Sequence, residues 1–472
     1  MRRTFESRRW ATGVATLVLA LAARAAHAKK MTLPELLELA RQASPGMQAA
    51  GAATEATQAQ VSEAWRNWLP QGSLLSILAP SPDLKCYAAF PGGGQPPPGT
   101  PTDPNNCVRT GNGEASLSTV SWDRVFTRTE LRLIQPVWDF GKISAGIAAA
   151  KASVGVAQQR QAGARADVEQ NVRKAYWGMK LARDVLDMLD TGTGYVDDAQ
   201  KKLEKDLANG TGTAGVTDKL RMRTVRAEVD ARVLEAKRGQ TYARDGLRIL
   251  LGPQAPPEID VDDDDFAPVE IKDHPVSYYE DQARYNRPEA RLLDYAVKAK
   301  SALADLERRK EYPDLVLIGT AAFARAQGVD DPQNAFMSHY FNSTTAGVAA
   351  ALRMQLDLGP RLARATRTSA EAAEMGFRRA EALGGIDLEV RKAYGEVTEA
   401  GERVTAVQKG EKAAKSWISA VAQNFAVGLS ETRDLTDALL AFFNMRYRYL
   451  QAVFDYNVAV AALTRATGAT DL

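Results

Sequence analysis

The chain has 472 residues, 45% apolar and 25% charged, with 60 basic and 58 acidic side chains. That length allows a large core or several domains. Setting aside the first 28 residues, which hold five Arg and one Glu, leaves 55 basic and 57 acidic side chains, so there is no basic excess of the kind a nucleic-acid surface requires.

Residues 1–28 combine an Arg-rich start, an apolar middle and Ala26-His27-Ala28 at the end. This is the pattern of a secretory signal peptide cleaved after Ala28. No later run reaches 18 apolar residues, so no transmembrane helix is expected, and a membrane crossing would have to be made by strands.

"TLPELLELARQASP" opens a helix with Thr32 as N-cap and Glu35 three residues on; Pro45 then interrupts or kinks it before it resumes to Leu69-Pro70. Cys86 and Cys107 bracket a Pro- and Gly-rich loop. In an oxidising compartment a disulfide is the default reading; a thiol metal pair would lack a nearby His or third Cys. Beyond the loop, Thr129, Leu131 and Leu133 alternate with Glu130 and Arg132. This is a strand with one apolar and one charged face, compatible with a soluble sandwich or with a barrel that has a wet lumen. From Lys142 to about Ala208 no Pro occurs, and a helix of that length would run on the order of 100 Å, needing a coiled-coil-like partner. A glycine turn, "ANGTGTAG", and a return helix ending at Gly252 follow. The Pro- and Asp-rich stretch 253–273 reads as a solvated linker, its four Asp more plausibly a connector than a cation site.

The second half repeats the plan. Val172 of "VRKAY" and Val390 of its copy differ by 218, as do Asp139 and Asp357, and Gly210 and Gly428. Pro45 and Pro288, and Pro70 and Pro313, differ by 243, so the first half carries about 25 extra residues between Pro70 and Asp139. A strand from Val348 to Leu356 again alternates apolar residues with Arg353, Gln355 and Asp357. A second Pro-free helix runs from Arg361 to about Val427, and a return helix ends at Gly468. In both VRKAY copies the apolar positions (Val172, Ala175, Tyr176, Met179, Ala182; Val390, Ala393, Tyr394, Val397, Ala400) form one helix stripe, so the motif is a packing segment. Trp65, Trp68, Trp122, Trp138, Tyr312, Tyr340 and Phe341 flank the strands and suit interfacial belts. The organisation is therefore signal peptide 1–28, repeat one 29–252, linker 253–273 and repeat two 274–472.

Catalytic chemistry is not in view. "GTGTAG" follows a helix without βαβ context, "DFG" lacks its kinase companions, and His274 and His339 have no metal-ligand spacing. No cofactor or metal is expected, and any transport must be powered elsewhere.

Taken together, "TLPELLELARQASP", "WLPQGSL", "QPVWDFGK", "AYWGMKLARD", the glycine turns and the duplication resemble the TolC family of outer-membrane efflux proteins across nearly the whole chain. The resemblance implies a mainly α protein with β. Long coiled-coil-like helices would form an α-barrel, and four strands per chain would enter a trimeric twelve-stranded β-barrel in the outer membrane. It implies a homotrimeric exit channel for drug efflux or type I secretion, working with a periplasmic adaptor and an inner-membrane pump. Carried over by residue, Val427, Gly428 and Leu429, with Asn209 and Gly210 in repeat one, match the turns where an adaptor docks. Asp434 and Asp437 match the carboxylates ringing the periplasmic aperture, and Asp218 matches the corresponding position of repeat one. Their placement also suits the backbone dipole at a helix N-terminus. Ser430 stands where the family often has a basic residue, with Arg433 as its possible substitute. Glu130, Arg132, Arg353, Gln355 and Asp357 would line the lumen. The alternative from another class is a soluble periplasmic coiled-coil adaptor or scaffold; the charged strand faces argue against it.

Overall fold

The structure, a computed structural model, describes residues 29–82, 120–209, 215–329 and 340–469. The signal segment, Cys86, Cys107, Gly210 and His339 lie outside the described residues.

The element order is β1 (Lys29–Met31), α1 (Leu33–Ala43), α2 (Pro45–Arg66), β2 (Gln71–Pro82), β3 (Val120–Trp138), α3 (Lys142–Asn209) and α4 (Val216–Leu251), followed by β4 (Ile259–Val261). The second repeat supplies α5 (Val276–Asn286), α6 (Pro288–Arg309), β5 (Asp314–Ala326), β6 (Ser343–Arg353), α7 (Leu358–Ala426) and α8 (Thr432–Thr467). The helix breaks fall where the prolines demand: Pro45 and Pro288 each open a new helix, because proline cannot donate the hydrogen bond that continuation requires. Thr32 starts α1 by donating both its N–H and its hydroxyl to the Glu35 carboxylate, at 2.9 and 3.2 Å. The two long helices run 68 and 69 residues without a break. Helix α7 begins at Leu358, earlier than the expected Arg361, because Pro360 is tolerated in a first helical turn.

The chain folds as two compact units, each drawing on both repeats. One holds residues up to Pro45, Val168–Glu270 and Glu396–Ala461. Its larger core joins α3, α4, α7 and α8 through Val185, Leu189, Val196, Met222, Ile418, Leu439 and Leu450. Its second core packs Leu36, Leu37 and Ala40 of α1 against Val172, Tyr176 and Met179 of α3 and Leu247 and Leu251 of α4. The first VRKAY copy is thus a packing segment, and Val390, Ala393, Val397 and Ala400 of the second are buried likewise.

The same unit shows that the linker is not simply solvated. Within it, β4 pairs in parallel with β1, Ile259 opposite Lys29 and Val261 opposite Met31. Asp262 then turns inward. Its carboxylate pairs with Lys180 Nζ at 2.5 Å and accepts the Tyr176 hydroxyl at 2.8 Å. The carbonyl of Asp264 accepts from Lys180 at 2.9 Å, and that of Asp262 accepts from Arg183 at 2.6 Å. Further on, the Asn457 side chain receives the Val269 N–H at 2.8 Å and donates to the Ala267 carbonyl at 3.0 Å. Backbone pairing and buried ionic groups outweigh the tract's polar composition. No group of side chains suited to a metal ion occurs among the described residues.

The other unit carries one antiparallel sheet, ordered β2-β3-β5-β6. Strand β3 runs 19 residues, with register shifts where it pairs with β2 and β5. Strand β6 stops at Arg353, so Gln355 and Asp357 lie in the link before α7, not in the alternating strand expected there. The cause is local: Arg361 Nη2 donates to the Gln355 side chain at 2.6 Å, and Arg364 Nη2 donates to Asp357 at 2.8 Å. These contacts fasten the link to the first turns of α7 and draw it away from the sheet.

Candidate functional site

The sheet is the first element of the site. Residues opposite one another on antiparallel strands share a face. The β2–β3 and β3–β5 registers set Ser73 and Leu75 beside Arg132 and Glu130, and these beside Thr320 and Ala322. Arg353 stands opposite Asp314 on that same face, 3.5 Å from its carboxylate. Of the predicted lumenal residues, the structure therefore brings Glu130, Arg132 and Arg353 together and leaves Gln355 and Asp357 out. The opposite face presents Leu74, Leu78, Leu131, Leu133, Leu315, Leu317, Phe323, Val348 and Leu352, all exposed. Two hydroxyls on it, Ser76 and Thr129, bond each other at 3.0 Å, which lowers the cost of presenting them to an apolar medium.

Aromatic side chains gather at both ends of this sheet. Where β3 ends and β5 begins, Phe140 stacks on Tyr312 at 5.5 Å and meets Trp138 edge-on at 6.1 Å. Where β3 and β6 begin, Phe126, Tyr340 and Phe341 form a second group with centroids 5.2 to 6.2 Å apart. Trp65, Trp122, Trp138, Tyr312 and Tyr340 are exposed, whereas Trp68 is half-buried beside its own carbonyl's bond to Gln135.

"DFGK" is the corner that turns β3 into α3. Buried Asp139 accepts the Gly141 N–H at 2.9 Å and the Ile143 N–H, capping the helix. Gly141 has φ +83, and Phe140 also has a positive φ of 53, held by its ring contacts and by Arg309 Nη1, which donates to its carbonyl at 3.2 Å. Lys142 closes the corner on Asp314 and the Tyr312 carbonyl, both at 2.6 Å.

The turn between α7 and α8 is equally well specified. The Leu429 N–H reaches the Asn424 carbonyl at 2.8 Å and the Gly428 N–H reaches that of Phe425 at 3.1 Å, the bond pattern of a Schellman stop. Gly428 supplies the left-handed residue at φ +80. Val427 and Leu429 consequently project 70% and 79% exposed, two apolar side chains left uncovered by the described residues. Asn209 ends α3 in the equivalent turn and is also exposed.

At the start of α8, Arg433, Asp434 and Asp437 share the exposed side, while Leu435, Thr436, Ala438 and Leu439 are buried. Asp434 accepts the Glu431 N–H at 3.3 Å, and Asp218 accepts the Gly215 N–H at 3.0 Å. The two carboxylates therefore occupy the same capping position in the two repeats. Asp437 lies 3.8 Å from Arg433 within the same helix, and Asp218 lies 3.8 Å from Arg221. Arg433 thus meets an intrahelical carboxylate, and exposed pairs of this kind contribute only about 0.3–0.5 kcal/mol.

Sequence reasoning missed the Tyr176–Lys180–Arg183 cluster that grips the linker. Burial and the neighbouring Asp262 carboxylate push the Tyr176 phenol above its ordinary range, keeping it a donor. Burial pushes the Asp262 carboxyl upward, but the hydrogen bonds from Lys180 and Tyr176 outweigh it and hold the group below the usual carboxylate range.

The sequence pattern of the family described as outer membrane efflux protein matches residues 114–253 and 280–469. The chain belongs to the outer membrane efflux protein family. No curated protein matches it in sequence. Among solved structures, the outer-membrane channel OprN is similar at 17% identity over 92% of this chain and 89% of its own, with a TM-score of 0.68. The CmeC outer membrane channel of Campylobacter jejuni is 15% identical over 92% and 85%, with a TM-score of 0.70. The MtrE outer membrane channel of Neisseria gonorrhoeae, in its open state, is 15% identical over 93% and 89%, with a TM-score of 0.68. As a member of this family the protein is an efflux channel of the Gram-negative outer membrane, and the soluble-adaptor reading is set aside. The family is one of channels, not an enzyme class. None of the described helices is long and apolar enough to cross a membrane.

Proposed function

We propose that three copies of this chain pool their sheets into one twelve-stranded barrel and act as a passive exit duct without catalytic activity. The observation that carries this is the four-stranded sheet, apolar and exposed on one face, charged on the other, and unpaired along β2 and β6 among the described residues. Four strands are too few to close a barrel, and an open edge has no partner in lipid. Exposed apolar residues along α4 (Val216, Leu220, Leu234, Tyr242 and Ile249) favour the same reading, since a neighbouring chain would cover them. The Val427-Gly428-Leu429 turn, with Asn209 and Gly210, would receive a periplasmic adaptor. An inner-membrane pump would supply the energy. Cys86 and Cys107 would close their loop as a disulfide. Asp434 and Asp437, tripled around the axis, would ring the aperture and attract cations, with Asp218 and Arg433 beside them.

In detergent the protein is expected to run as a heat-modifiable trimer and to form pores in planar bilayers. A monodisperse folded monomer without conductance overturns the proposal. Asp434→Ala combined with Asp437→Ala is expected to raise single-channel conductance and weaken cation preference; unchanged values of both remove the carboxylates from the aperture.

A further inference from the structure

Arg132 stands apart from the other charges on the sheet's polar face. Glu130 is already held by Arg128, and Arg353 is paired with Asp314, which also receives Lys142. Arg132 is exposed, and among the described residues its guanidinium has no hydrogen-bond or ion-pair partner. Its neighbours across the sheet are small: Ser73 on β2, Thr320 on β5 and, opposite Thr320, Gly347 on β6. The longest side chain at that height is therefore a cation that no described residue neutralises. Facing lipid, it would cost about 2–4 kcal/mol at mid-depth; facing a wet lumen, it stays solvated and projects over low walls.

We propose that Arg132, repeated in each subunit, forms an anion-attracting collar inside the barrel that gives the duct a preference for negatively charged solutes at that level. The inference rests on the trimeric-barrel reading and adds to it a second charge filter, opposite in sign to the carboxylates of the aperture. A ring of like charges raises the local concentration of counter-ions. The effect is strongest in dilute salt, because the screening length is about 10 Å at 0.1 M and about 30 Å at 0.01 M.

The test is the reversal potential in a dilute potassium chloride gradient across planar bilayers. The background is Asp434→Ala/Asp437→Ala, which removes the competing acidic ring. Adding Arg132→Gln is expected to lower the chloride-to-potassium permeability ratio by at least about twofold, and Arg132→Lys to keep it. Thr320→Glu, which sets a carboxylate directly beside Arg132, is expected to lower the ratio with the arginine still in place. An unchanged ratio in either the Gln or the Glu variant, whichever conducts, overturns the collar. Absence of conductance from every one of these channels, the background included, overturns the duct reading itself.

Discussion

Replacing Lys180 by Met is expected to lower the free energy of unfolding by about 3–5 kcal/mol, the cost of stranding a buried charge. Lys180 is only 1% exposed, and its ammonium meets the Asp262 carboxylate at 2.5 Å and the Asp264 carbonyl at 2.9 Å. Methionine fills much of the same volume, so the loss would be electrostatic more than steric. It leaves the largely buried Asp262 carboxylate with the Tyr176 hydroxyl at 2.8 Å and the Asp264 N–H at 3.3 Å as its remaining donors. The pH dependence gives a separate check. Because the folded-state pKa of Asp262 is depressed, its contribution is fully present above the unfolded carboxyl value of 3.8 and is lost as pH falls through the lower folded value. The gap between wild type and Lys180→Met should therefore be widest near neutrality and narrow in acid. Guanidinium titration of the helical circular dichroism in detergent, at pH 7 and again below pH 4, measures both. A small loss at pH 7, or a gap that widens in acid, would show that the linker is held by its backbone contacts alone. Adding Asp262→Asn to Lys180→Met should recover part of the loss, since it removes the stranded charge.

The lysine also marks where the sequence stopped being readable. The stripe through Val172, Tyr176 and Met179 follows from a 3.6 period, and all three are buried as that period requires. Lys180 follows the stripe by one position, and a lysine is read as solvated unless a partner is known. Its partner lies 82 positions away within four consecutive aspartates, which composition cannot tell apart. The pairing of β4 with β1 decides which carboxylate turns inward: Asp262 goes in, whereas Asp263 remains 69% exposed. The end of β6 was hidden for a similar reason. Met354 and Leu356 continue the apolar alternation, yet side chains of α7 capture Gln355 and Asp357 first. The capping prolines, the duplicated helices and the two-faced strands were legible because each depends on near neighbours in sequence. For the carboxylates at the starts of α4 and α8, the sequence allowed both a ring and a dipole reading, and the capping bonds of Asp218 and Asp434 fit the second.

Three glycines separate backbone strain from crowding. Gly252, Gly468 and Gly428 all have positive φ, at 75, 69 and 80. A side chain at Gly252 would bring its Cβ to 2.5 Å from the Ala43 carbonyl oxygen and 2.9 Å from Pro45 Cδ. At Gly468 it would come to 2.8 Å from backbone atoms of Asn286 and Arg287. Each glycine ends the last helix of its repeat against the proline break in that repeat's first helical pair, so the duplication extends to this contact. At Gly428 nothing among the described residues lies within 4 Å. Gly252→Val and Gly468→Val are therefore expected to cost about 2–6 kcal/mol each, a strained φ of about 1–3 kcal/mol plus an overpacking cost of about 1–3 kcal/mol. The neighbours at both sites include main-chain atoms, which cannot rotate aside as a side chain can. Gly428→Val should carry the φ cost alone and fall at the low end. Denaturant midpoints for the three variants, compared pairwise, isolate the crowding contribution. Equal losses at all three positions would mean that the glycines serve only the turn and that the helix ends are not seated on the proline breaks.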